Sequence, residues 1–282
     1  MITIGLTTWS EHQALIKEQN RSVTLREYAA HFPVVEVDTS FYGIPQKATI
    51  LKWQQQVPPS FQFIIKANRL LTGHTETAPT LMQLKDHFKQ FTAAIEPLVE
   101  THQLKSVLCQ FPPFFTANKK NVAYLRFLRQ QLEQLPLALE LRNQSWYTAQ
   151  TRNSLISFCQ QQAYTLVAAD EPTQEIGSVP FMPEVTTPSL LILRLHGRNQ
   201  KGWFNPGKEW RKQRTLYRYN SAELTFFKHH IEALAGRVAE VCVIFNNNSG
   251  QDAAPNALEL KRQLGIEFQG LGPLPPEQTE LF

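Results

Sequence analysis

Short β-branched, apolar runs alternate along the chain with longer stretches whose apolar residues recur at helical spacing. The short runs read as strands at 3–7, 34–38, 61–66, 106–110, 137–141, 165–169, 190–195 and 241–245. The amphipathic stretches read as helices at 24–32, 47–55, 80–98, 119–135, 152–162, 221–234 and 254–264. Such alternation predicts parallel βαβ units, and eight strands favour a closed (β/α)₈ TIM barrel over an open sheet. The connection after the sixth strand is the expected irregularity, because Pro172, Pro180, Pro183 and Pro188 leave little room for a long helix. We expect one domain over 1–282, with an extended tail from about residue 270, where Pro and Gly accumulate.

Side chains alternate faces along a strand, so parity sorts polar from apolar positions. Val34, Glu36 and Asp38 share a face, as do Ile64 and Lys66, Ala138, Glu140 and Arg142, and Ile192, Arg194 and His196. The sixth strand reads as Leu166, Ala168 and Asp170, and the eighth as Ile244 and Asn246. Each face is apolar early and polar late. A packed barrel floor with a chemical C-terminal mouth has this pattern. Unpaired, these charges would be too costly to bury, so they pair with each other or meet a polar ligand.

Composition narrows the classes. Over 282 residues the hydrophobic fraction is 42% and the formal net charge is +4, which permits an anionic ligand without requiring nucleic acid. Cys109, Cys159 and Cys242 lie far apart in apolar runs, the pattern of reduced, buried thiols. The opening MITIGLTTW has neither a basic nor an apolar leader region, and no run is long enough to span a bilayer, so a cytoplasmic protein without membrane contact is expected. No G-x-G-x-x-G follows a strand, so no cofactor is expected.

The candidate catalytic residues are Glu36, Glu140, His196 and Asp170, because proton transfer needs carboxyl and imidazole groups with separated pKa values. Lys66, Arg142 and Arg194 are candidate anchors for a substrate anion. Asn246 and Asn247 offer donors and acceptors for hydroxyls, and Trp9, Tyr42 and Trp146 lie just past strands, where they could face a ring-shaped ligand. Three cations among the carboxylates argue against a bound metal; its ligands would come from Glu36, Glu140, Asp170 and His196. His74 reads as an ordinary loop histidine. After the seventh strand, segment 198–219 interleaves Lys201, Lys208, Arg211, Lys212, Arg214 and Arg218 with Trp203, Phe204, Trp210, Tyr217 and Tyr219. Such a segment could track a nucleic-acid backbone or close as a lid over a substrate phosphate.

Several motifs occur in one order across nearly the whole chain: VEVDTSFY at 35–42, FIIKAN at 63–68, QFPPFF at 110–115, ELRNQSW at 140–146, Asp170-Glu171-Pro172, RLHGR at 194–198 and FNNNSG at 245–250. In this the chain resembles the YecE-like family, domain of unknown function 72. The resemblance implies a barrel related in shape to sugar isomerases. The opening GLTTWSEH departs from the family's more usual G-T-S-G-W, and LTGHTE at 71–76 departs after the third strand. The expected function is proton transfer on a sugar or sugar phosphate in the barrel mouth, with a small polar or phosphorylated partner. The alternative is nucleic-acid binding or processing through segment 198–219, and a weaker one is glycoside hydrolysis by Glu36 and Glu140.

Overall fold

The computed structural model describes residues 1–16, 20–172, 178–204 and 213–273. Eight parallel strands close on themselves in chain order: β1 (Ile2–Thr7), β2 (Val34–Val37), β3 (Gln62–Lys66), β4 (Leu104–Phe111), β5 (Leu137–Leu141), β6 (Tyr164–Asp170), β7 (Leu190–Leu195) and β8 (Glu240–Phe245). β8 pairs with β1 from Ile2↔Val241 to Leu6↔Phe245, which seals the barrel. Around it lie α1 (Leu25–Tyr28), α2 (Lys47–Gln54), α3 (Leu81–Glu100), α4 (Lys119–Gln131), α5 (Arg152–Gln161), α6 (Gln200–Phe204), α7 (Ser221–Ala235) and α8 (Ala253–Leu264).

Local chemistry explains the boundaries. Thr24, Thr80 and Asn220 each cap a helix and receive the side chain of the residue three positions on, closing a capping box at α1, α3 and α7. α1 ends after a single turn, where the expectation was a helix to residue 32. Tyr28 on that turn donates its hydroxyl to the Val34 carbonyl and accepts the Leu6 N–H, both at 2.8 Å, so it fastens α1 to β1 and β2. At Gly5 a Cβ would meet the Val34 carbonyl oxygen at 2.3 Å, so β1 can approach β2 there only without a side chain.

Two apolar layers result. The larger fills the shell between strands and helices. The smaller is the barrel interior and includes Val34, Ile64, Leu108, Ala138, Val167, Ile192, Cys242 and Ile244. At the N-terminal floor Lys105 Nζ meets Glu240 Oε1 at 2.5 Å, and Thr3 donates to the same carboxylate.

The interior layer corrects one expectation. Val167 faces inward, while Leu166 and Ala168 belong to the outer shell. Asp170 shares their parity and therefore lies outside the barrel wall, and the inward face of β6 runs on to Glu171. The sixth βα unit is irregular, as its prolines predict. No helix is found among the described residues between β6 and β7. Instead, Thr186 donates to the Tyr164 carbonyl and accepts from the Leu166 N–H, holding the returning chain against β6. Lys208, Glu209, Trp210, Arg211 and Lys212 of the basic segment lie outside the described residues, as does the tail from 274.

Candidate active site

The polar ends of β2, β5 and β7 converge inside the mouth. Arg194 reaches across the barrel and holds Glu36 with two donors, Nε to Oε2 at 2.7 Å and Nη2 to Oε1 at 2.5 Å. Its third nitrogen, Nη1, donates to Glu140 Oε2. Glu140 Oε1 also receives Gln110 Nε2 at 2.7 Å and Arg142 Nη1 at 3.2 Å. Both carboxylates are fully buried. Burial alone would raise Glu140, but Arg194, His196 and Arg142 outweigh it and hold the carboxyl well below the ordinary range. Burial prevails at Glu36, raising it against the pull of Arg194, with Asp38 adding repulsion.

His196 Nε2 lies 3.1 Å from Glu140 Oε1, and Asn246 Nδ2 lies 2.8 Å from its Nδ1. With the amide donating to Nδ1, the ring carries its proton on Nε2 and donates it to Glu140. Burial lowers His196 to about 3, so the imidazole is neutral near pH 7.

Glu171 was not among the expected site residues. It is 1% exposed, and Arg142 Nε lies 2.5 Å from its Oε1 without hydrogen-bond alignment. Its other oxygen accepts the Val179 N–H at 3.0 Å. Burial pushes Glu171 up to about 7, against the attraction of Arg142 and Arg214. Donor atoms of Glu140, Glu171 and His196 all lie within 4.8 Å of one another. These are the described residues that could hold a metal ion, although Arg142 already supplies a cation between the two carboxylates.

Trp203 of α6 roofs this group. The Arg142 guanidinium lies 4.8 Å from its ring centroid, Arg214 lies 3.6 Å from it, and the His196 ring is 6.3 Å away. On the opposite rim Lys66 pairs with Asp38 at 2.7 Å and lies over Phe41 at 4.8 Å. His74 stands against Phe41 at 4.9 Å rather than on open surface; burial, then Lys66 and Arg142, lower it to about 4.

The motif order, the barrel and this mouth invite comparison with known proteins. The family profile described as "Protein of unknown function DUF72" matches residues 3–280. The chain belongs to the DUF72 family. Over 285 residues it is 40% identical to the UPF0759 protein YunF of Bacillus subtilis (strain 168), covering 100% of both chains. It is 39% identical to the UPF0759 protein YecE of Escherichia coli (strain K12) over 98 residues, 35% of this chain and 34% of that one. Among solved structures it is similar to a DUF72 protein of Enterococcus faecalis V583, with 40% identity, a TM-score of 0.91, and 97% and 98% of the two chains covered. A DUF72 protein of Thermotoga maritima MSB8 follows at 29% identity and a TM-score of 0.79, with 94% and 100% covered.

On this DUF72 barrel the expected site residues separate. Glu36, Lys66, Glu140, Arg142, Arg194, His196 and Asn246 come together in the mouth. Asp170 does not. In the outer shell it binds Arg198 through both oxygens and accepts the Tyr219 hydroxyl at 2.7 Å. Asn247 is buried and donates to the Tyr217 carbonyl and to Asn256, clamping the approach to α7. Trp146 is 4% exposed, gives its N–H to the Phe115 carbonyl and stacks on the Phe115 ring. Trp9 packs edge-on to Trp53, and Tyr42 is 61% exposed beside Phe41. A surface depression of about 810 Å³ between α4 and α5 includes Trp146 and Arg126 but none of the mouth's buried charges. No helix among the described residues is long and apolar enough to cross a membrane.

Proposed function

We propose that the protein is a proton-transfer enzyme acting on a polyhydroxyl compound, isomerase- or epimerase-like, in the C-terminal mouth of the barrel. The observation that carries this is the convergence of Glu171, Glu140 and His196, all buried, with donor atoms within 4.8 Å of one another beneath Trp203. Each has a distinct part. Glu171, held at about 7, can take a proton from carbon beside a carbonyl and return it at neutral pH. His196 gives its Nε2 proton to Glu140 and so fixes that carboxylate, while Arg142, facing Glu171, can hold the negative charge that develops on an enediolate. Glu140 stays ionised and orients both.

The geometry supports Glu171 as the proton carrier better than the pair Glu36 and Glu140, because Arg194 binds both of those carboxylates. The same guanidinium fills the gap where a glycosidase pair would need a sugar ring. The test is incubation with a panel of aldoses, ketoses and their phosphates in deuterated water. Solvent deuterium should enter at the carbon next to the carbonyl, and Glu171→Gln should slow entry by about 10²–10⁴-fold while leaving the circular dichroism unchanged. No incorporation across the panel, or full activity in the Gln variant, would sink the reading.

A further inference from the structure

Two buried nitrogen donors at the mouth meet no acceptor among the described residues. Arg142 is 7% exposed, yet its Nε and Nη2 have no hydrogen-bond partner among the described residues. Nε at least faces the Glu171 carboxylate, whereas Nη2 meets no acceptor among the described residues. The indole N–H of Trp203 is likewise buried with no partner among the described residues, on the ring that lies 4.8 Å from the Arg142 guanidinium. An unmet buried donor is destabilising, because folding strips its water without supplying an acceptor. Neither group can accept a hydrogen bond, so only acceptor oxygens relieve both.

The local charge narrows the ligand further. Arg214 adds a second guanidinium against the same indole, at 3.6 Å. Glu36 is held by Arg194, Glu140 is shared between Arg194 and Arg142, and Glu171, which faces Arg142, is pushed up to about 7 by burial. Two guanidinium groups around one ring match a dianion better than a singly charged carboxylate. Charge also separates a chain end from a chain interior. A phosphodiester carries one negative charge and continues on both sides, whereas a monoester is a terminal dianion, the closer match to the Arg142 and Arg214 guanidinium groups beside one indole.

We propose that the mouth binds a phosphate monoester, its oxygens accepting from Arg142 Nη2 and Trp203 Nε1 beside the Arg214 charge, so that the substrate is a phosphorylated polyhydroxyl compound. This rests on reading the mouth as a substrate site.

The experiment is calorimetric titration of the full chain with glucose 6-phosphate, inorganic phosphate, glucose, dimethyl phosphate and a single-stranded oligonucleotide. Glucose 6-phosphate and inorganic phosphate should bind, and glucose and dimethyl phosphate should bind about tenfold more weakly or not at all. Arg142→Gln and Trp203→Phe, which keeps the ring and removes only the N–H, should each weaken the monoester about tenfold. Arg152→Gln, on the surface with Glu184, should leave binding unchanged. If Arg142→Gln does not fold, Trp203→Phe decides alone. Equal affinity for glucose and its phosphate, insensitivity to Trp203→Phe, or preference for the oligonucleotide would each overturn the proposal. Monoester binding without deuterium exchange would remove the proton-transfer reading and leave this one. Exchange on uncharged sugars without phosphate preference would do the reverse.

Discussion

Without its guanidinium, Arg194 would leave Glu36 and Glu140 facing one another, both fully buried. Breaking a buried ionic group by removing one partner is costly because the remaining charge has no counterion. Arg194→Met should therefore lose about 3–5 kcal/mol of stability, read as a lower urea midpoint with an unchanged slope. A loss below about 1 kcal/mol would show that the two carboxyls can stand without it. The same saturation explains why Arg194 is poorly suited to gripping a substrate, while Arg142, two strands away and partly unmatched, is suited to it. Residue type alone could not separate these two arginines. Each sits late in an inward-facing run of a strand, and only the third dimension reveals which nitrogen atoms are already spent.

At the scale of elements, parity placed the inward residues of β2, β3, β5, β7 and β8 correctly, because each of those strands carries polar groups on a single late face. It failed on β6. There Leu166, Val167, Ala168 and Ala169 are all apolar and all buried, so neither face stands out, and the terminal Asp170 drew the wrong one inward. A barrel strand is covered on both sides, which erases the alternation that a half-exposed strand would keep. The helices after the strands were legible from apolar periodicity, and the prolines foretold that no helix is found among the described residues between β6 and β7, whereas Trp203 meeting Arg142 is a contact between distant elements that no local pattern encodes. Asp170 instead ties β6 to both flanks of the segment leading to α7, through Arg198 and Tyr219. Asp170→Asn should loosen that tie: amide hydrogen exchange at residues 197–204 and 213–219 should quicken by about tenfold, with the rest of the barrel unchanged. Uniform acceleration everywhere would point to a global role instead.

For the whole molecule, protons bound inside the mouth couple chemistry to stability. Glu171 holds its proton up to about pH 7 when folded and releases it near 4.5 when unfolded. Between those values the folded chain binds one more proton, so this group's contribution to stability falls as pH rises through the window. His12 and His196, which burial lowers to about 4 and about 3, act with the opposite sign below about 6.5. Comparison with Glu171→Gln isolates the carboxyl. The wild-type chain should lose about 1.4 kcal/mol per pH unit relative to that variant between pH 5 and 6.5, measured as the difference in urea stability. A flat difference would mean that Glu171 titrates like an exposed carboxyl. The cross-barrel contact has a kinetic consequence as well. Glu36 and Arg194 are 158 residues apart in sequence, and Glu140 is 54 from Arg194. Loop closure over such separations is slow to be rewarded. The three charges can therefore meet only when the first and third quarters of the chain have come together. Until β2 joins β7, Glu36 has no guanidinium partner, and a chain folded only from β5 onward would keep that carboxylate in water as solubilising charge.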